Sequence, residues 1–235
     1  MPCRSYWLAA TMFVTGTVAF AASQSHVTVK CNPVRITRQE FDPMNPPSSM
    51  PPLTPDEAGV THFEFTCDAG IGVFIEPKNA TTVEVRVDAV DMILDLPIDI
   101  WVRKGARAKV YQHEEGHRKI CEDYYEGCAA IATDLGEKMI GRRATGTGRD
   151  QEHAKANAEQ KLLGELHESY MKATRLRCRI CQDHYDDLTT HSLMPVSETE
   201  AIVQAKALEV AGKLPSTGMP VSSLLVTFGK TEGSN

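Results

Sequence analysis

Two histidines four residues apart bracket a pair of glutamates in His113-Glu114-Glu115-Gly116-His117. On a helix, residues i and i+4 share one face a turn apart, so both imidazoles can reach one zinc ion at about 2.0–2.1 Å. Glu114 lies about 100° round the helix from His113, placed to touch a water at the metal without ligating it. Zinc lowers the pKa of such a water toward about 7; a carboxylate can take its proton during attack on a peptide carbonyl and return it to the leaving amine. The chemistry expected is zinc-dependent peptide hydrolysis, with His113 and His117 as ligands and Glu114 as general base and acid. The plain alternative is a solvated helix face that carries two histidines.

A hydrolytic zinc needs a third protein ligand and an open fourth position. Asp123, six residues after His117, points to the other side of an unbroken helix. Glu137 is too far along the same helix at about 1.5 Å per residue. The third ligand is therefore expected from elsewhere, and the cysteines suggest where. Cys121 and Cys128 are two turns apart on the motif helix; Cys178 and Cys181 are one turn apart near the end of a later helix. A short Gly-rich break separates the two helices, which predicts antiparallel packing. Pairing Cys121 with Cys181 and Cys128 with Cys178 keeps the register more constant than the crossed pairing. Extended to the motif, that register sets His113 and His117 against Tyr185-Asp186-Asp187-Leu188-Thr189-Thr190-His191. His191 is the expected third ligand, with Asp186 as runner-up or as a partner orienting an imidazole. Tyr185 is expected to be structural rather than an oxyanion donor, and Met194 to pack in a core.

The elements that must carry these residues can be read from periodicity. A strand is expected near Val27–Ile36, then a Pro-rich linker over 42–57, where six prolines forbid regular pairing. From Thr61 to Val102 the apolar period is near two: Val83, Val85 and Val87 face one way, and Ile98, Ile100 and Val102 repeat the pattern. That predicts three to five strands, antiparallel, with one face buried. Helical composition runs from about Lys104 to Ile140. Gly141 to Gly148 reads as a break. A second long helix starts at the Asp150 cap and runs to about Cys181; a third spans Ser197 to Lys213, with a Ser197–Glu200 capping box.

The chain has 235 residues and a formal net charge of −6, with 42% hydrophobic and 24% charged residues. That composition supports a folded core, and the lack of a basic block interleaved with aromatics argues against nucleic acid as a partner. Arg4, an uncharged apolar run from Trp7 to Phe20 and Ala19-Phe20-Ala21 read as a signal peptide over residues 1–23. Its removal takes away one cation and no acid, so −6 becomes −7. No later segment is long and apolar enough to span a bilayer. Export to a periplasmic or extracellular space leaves six of the seven cysteines, an even number suited to disulfides, with Cys31 and Cys67 as the remaining pair.

The residues together resemble a bacterial domain-of-unknown-function family described as secreted zinc-dependent proteases. Its members carry an HEQGH-like motif after a Leu-Pro-x-Trp-like strand end, and later a Tyr-Asp-x-x-Thr-x-His-Gly element. Here stand Leu96-Pro97 followed by Trp101, then His113 to His117, then Tyr185-Asp186, Thr189 and His191. The resemblance covers about residues 60–192, with gaps. It implies a zinc peptidase with His113, His117 and His191 as ligands and Glu114 as acid/base. Ser192 replaces the family's glycine, and Trp101 lies further from Leu96-Pro97 than in the pattern.

The expected architecture is α+β: a small antiparallel sheet followed by a disulfide-stapled helical hairpin with the zinc site. The expected divisions are a signal peptide (1–23), an N-terminal strand and Pro-rich linker (24–60), a zincin-like catalytic domain (61–191; β region 61–103, hairpin 104–191) and a C-terminal helix and tail (192–235). The expected function is a secreted zinc peptidase acting on peptides or proteins. The alternatives are a non-catalytic zinc-binding envelope module and a zinc amidase acting on cell-wall peptides.

Overall fold

The computed structural model describes residues 26–53 and 57–215. The expected signal peptide and the end of the expected tail lie outside these residues. The fold is α+β. Its strands are β1 (Val27–Cys31), β2 (Arg35–Phe41), β3 (Gly59–Phe63), β4 (Thr66–Asn79), β5 (Thr82–Asp95), β6 (Pro97–Arg103) and β7 (Arg143–Thr147). Its helices are α1 (Ala108–Glu126), α2 (Cys128–Met139), α3 (Gln151–Ala173), α4 (Arg175–Thr189) and α5 (Glu198–Val210).

The strands form two small sheets. In the first, β5 is central: β4 pairs along one edge, while β7 and β1 follow one another along the other. In the second, β6 lies between β2 and β3. The alternation expected in β5 is present, with Val83, Val85 and Val87 buried. Its phase then switches, because Val90, Met92 and Leu94 are the buried residues of the second half. The switch falls where Gly72 pairs with Ala89 and Val73 with Val87, leaving Asp88 as the extra residue of a β-bulge. One inserted residue keeps both halves of a long strand facing the same core.

The sheets are mixed, not antiparallel: β1 pairs parallel to β5 and β2 parallel to β6. Periodicity reports which residues face the core but not which strand lies alongside or in which direction. Residues 27–41 are thus woven into both sheets, and the expected division at residue 60 does not separate them from the strands that follow. The segment 143–147, expected as a break, is strand β7. Its glycine serves close packing: a Cβ on Gly146 would lie 1.9 Å from the carbonyl oxygen of Ala154 in α3.

Both long helices are interrupted, at Gly127 and at Thr174. The expected caps are in place: Asp150 accepts from the His153 amide at 2.9 Å, and Ser197 from the Glu200 amide at 3.3 Å. Ala154, Ala158, Leu162 and Leu166 form the buried stripe of α3; past Thr174 the buried positions become Cys178, Cys181 and Tyr185. The interruption re-aims the chain so that α4 packs along α1. The expected apolar positions Leu176 and Ile180 are only partly buried as a result.

Candidate metal centre

Helix α1 presents His113, Glu114 and His117, all nearly buried, toward α4 and β3. The register of α1 against α4 is set by three facing pairs. Cys121 faces Cys178 with sulfurs 3.9 Å apart, the His117 ring meets Gln182, and His113 meets Asp186. This is the Cys121–Cys178 half of the crossed cysteine arrangement, about one helical turn from the expected Cys121–Cys181 register. The interruption at Thr174 sets it, because the expected register assumed one uninterrupted second helix. One turn is enough to bring Asp186, rather than residues nearer 191, opposite His113.

The result is a tight triangle of three atoms. The Nε2 atoms of His113 and His117 are 3.1 Å apart, and Asp186 Oδ1 lies 3.2 Å from the first and 3.0 Å from the second. Each imidazole is held from behind. His117 Nδ1 bonds Gln182 Oε1, and Gln182 Nε2 donates to the His117 carbonyl at 2.9 Å and meets Cys121 Sγ at 3.0 Å. The Thr189 hydroxyl donates to the Tyr185 carbonyl at 2.7 Å, leaving its oxygen to accept from His113 Nδ1 at 3.3 Å. With both Nδ1 atoms donating, both Nε2 atoms carry lone pairs aimed inward.

Three acceptors facing one another without a donor repel, and Asp186 Oδ1 is buried with no hydrogen-bond partner of its own. A cation among them resolves the conflict. The three edges of 3.0–3.2 Å are close to the roughly 3.3 Å separating ligand atoms on a tetrahedral ion with bonds of about 2.0–2.1 Å. His113, His117 and Asp186 can therefore hold a metal ion. Without one, protons serve instead. Burial opposes charge on His117, but Asp186 and Glu114 outweigh it and raise the imidazole to about 9. Burial likewise opposes ionisation of Asp186, but the imidazoles hold its carboxyl well below the usual range.

His191 stands beside this triangle rather than in it. Its Nδ1 lies 3.5 Å from Asp186 Oδ1 and 3.8 Å from Glu57 Oε1, on a side chain 40% exposed. It sits in a left-handed run, Thr190, His191 and Ser192, with φ of 46°, 49° and 74°. Ser192 has the largest positive φ of the three. Tyr185 is structural, as expected: it is fully buried, its ring stacks on His113 at 5.0 Å, and its hydroxyl donates to Glu198 of α5. Met194, expected in a core, is 47% exposed and lines the cleft. Asp123 points away and pairs with Lys206 of α5.

Several residues that shape the site carried no signal in the sequence. Thr61 of β3 donates to Glu114 Oε2 at 2.8 Å. Gly59 of the same strand leaves room for that carboxylate: a Cβ there would lie 2.7 Å from Oε1. Gly116 does the same for Tyr185, whose hydroxyl oxygen would be 2.1 Å from an added Cβ. Burial pushes the Glu114 carboxyl above its ordinary value, against the pull of the two histidines and Thr61. Glu115, the second acid of the motif, faces outward. Arg38 of β2 binds it at 2.5 and 3.1 Å and Arg118 adds a further bond, which lowers its pKa to about 2.

The triangle opens into a cleft of about 750 Å³. Its walls are β3, the β6–α1 connection, the end of α4 and residues 191–195. No protein-family model, no curated protein and no solved structure matches this chain.

Proposed function

We propose that the protein is a zinc-dependent peptidase, with His113, His117 and Asp186 as zinc ligands and Glu114 as general base and acid. The observation that carries this reading is the convergence of three acceptor atoms to within 3.2 Å of one another, with a buried carboxylate on the same helix turn and a cleft in front. The donor set of two imidazoles and one carboxylate suits zinc with a position left open. When bound, zinc would supply Lewis acidity, polarising a carbonyl and acidifying a water.

The remaining work belongs to this chain's own groups. Thr61 fixes Glu114 through Oε2, leaving Oε1 to take and return a proton. Burial makes that carboxylate a stronger base than an exposed one, which favours proton transfer near neutral pH. Gln182 and Thr189 hold the imidazole Nδ1 atoms and so fix the direction of both Nε2 lone pairs. Strand β3 is the outer strand of its sheet and lines the cleft, so its open edge can take an extended peptide by strand addition. His191, with Nδ1 3.5 Å from Asp186 Oδ1, is placed to orient that carboxylate at the mouth of the site. The resemblance noted in the sequence favours the same chemistry at His113, Glu114 and His117, and differs in implying His191 rather than Asp186 as the third ligand.

The leader-like N-terminus supports export, and the six cysteines left once residues 1–23 are removed are an even number suited to it. In an oxidising compartment, Cys121 and Cys178 are the pair placed to close, stapling α1 to α4 directly behind the histidines. Cys31 and Cys67 are not so placed. Both pair with Leu94, from opposite sides of β5, which sets their Cα atoms roughly 9–10 Å apart, beyond the roughly 7 Å a disulfide spans.

The test is zinc content measured alongside hydrolysis of a fluorogenic peptide library. Wild-type protein should hold one zinc and turn over. Glu114→Gln should keep the zinc and lose about 10²–10⁴-fold in rate. Zinc with no turnover in either protein would refute the peptidase reading and leave a binding module.

A further inference from the structure

The cleft has a charge asymmetry that hydrolysis alone does not require. The connection from β6 into α1 carries Arg103, Lys104, Arg107 and Lys109, four cations in seven residues of a chain whose net charge is −6. All four line the cleft. The acids of the same cleft are engaged. Asp186 and Glu114 face the histidines and the proposed zinc, and Asp183 pairs with Arg179 at 3.0 Å. Glu57 lies 3.8 Å from His191. Lys109 donates to the Val196 carbonyl at 3.1 Å and keeps its charge. Arg103, Lys104 and Arg107 are exposed and form no ion pair among the described residues. One wall of the cleft therefore presents uncompensated positive charge, and a concave low-dielectric wall concentrates that field on whatever enters.

Position sharpens the point. Lys109 is one turn before His113 on the same helix face, and Arg107 is six residues before it. At about 1.5 Å per residue they lie about 6 and 9 Å along the axis from the first histidine. An extended peptide advances about 3.3 Å per residue, so that span is two to three residues.

We propose that this wall selects peptides bearing a carboxylate two to three residues from the scissile bond, supplied by an acidic side chain or by the chain's own C-terminus. The inference rests on the peptidase reading for the position of the scissile bond. The recognition itself needs only the cleft.

The test uses zinc-loaded Glu114→Gln protein, in which binding is separated from turnover. The probes are fluorescein-labelled decapeptides carrying Glu or Gln at one scanned position, each with a C-terminal acid or amide, read by fluorescence anisotropy. The Glu peptides, the acid-terminated peptides or both should bind about tenfold more tightly than their neutral counterparts at about 20 mM salt. That preference should shrink severalfold at about 300 mM. The scanned position and the terminal group tell the two carboxylate sources apart. Adding Arg103→Gln, Lys104→Gln and Arg107→Gln should abolish the preference, with circular dichroism and zinc content unchanged. A matched triple at the exposed Lys78, Lys138 and Lys172 should keep it. Equal binding of charged and neutral peptides, failure of all of them to bind, or a preference that survives the rim triple overturns the proposal. Charge-selective binding without wild-type turnover upholds the proposal and removes only the hydrolytic reading. Turnover without charge selection removes only the proposal.

Discussion

Asp186 and His191 occupy neighbouring places at the candidate metal centre with different consequences. Asp186 Oδ1 closes the triangle with both imidazoles, while His191 Nδ1 lies 3.5 Å from Asp186 Oδ1, outside the triangle. Asp186→Asn should therefore weaken zinc affinity more than His191→Asn; loss of an orienting partner typically costs about 10–100-fold. Competition with a chromophoric chelator measures both, and the reverse order would make His191 the third ligand. The paired glutamates of the motif differ just as sharply. Glu114 is buried against Thr61, whereas Glu115 ties α1 to β2 through Arg38. The folded Glu115 carboxyl, at about 2, is depressed from an ordinary value near 4.5. Its contribution to stability is present above about pH 4.5 and is lost as pH falls toward about 2. Glu115→Gln should lower stability by about 1 kcal/mol at neutral pH, because the pair is partly exposed, and by less as the acid limb is approached. Urea denaturation at pH 7 and pH 3 checks the sign, and turnover should change little.

At the scale of elements, the end of α4 is the strained part of the site. Thr190, His191 and Ser192 follow one another in the left-handed region without a glycine. A side chain there costs about 1–2 kcal/mol per residue. Ser192→Gly should relieve that at the position of largest φ, although the added freedom of the unfolded chain offsets part of the gain. A net stabilisation of about 1 kcal/mol would raise Tm by about 2–4 °C in a chain of this size. A calorimetric scan showing a lower Tm would mean that Ser192 makes a contact worth more than its backbone strain. Helix α5 is the other supporting element. It holds Tyr185 through Glu198, and Glu209 receives Arg177 at 2.7 and 3.0 Å and Tyr124 at 3.0 Å. The packed site thus extends beyond the expected boundary at residue 191.

For the molecule as a whole, the cysteines would link the proposed export to stability. A Cys121–Cys178 bond would close a separation of 57 residues. It would stabilise by about 4 kcal/mol in the chain-entropy model. Protein recovered from an oxidising compartment should yield a non-reduced peptide joining these two cysteines. A peptide joining Cys121 to Cys181 instead would require a register one turn away and would move Asp186 off the triangle. Among the described residues no helix is long and apolar enough to cross a membrane.

The motif pair His113 and His117, the acid Glu114, the α+β composition and the helix caps at Asp150 and Ser197 were all legible in the sequence. Each depends on spacing within one element, and local geometry fixes which residues share a face or meet an amide. Strand direction, the interruption at Thr174, the facing of Cys121 with Cys178 and the closer approach of Asp186 than of His191 to the two imidazoles were not legible. These depend on how separate elements slide and turn against one another, and a slip of one helical turn costs little in periodicity yet exchanges the group opposite His113. Gly59, Gly116 and Thr61 belong to the same class, because their roles exist only where β3 and α4 close upon α1.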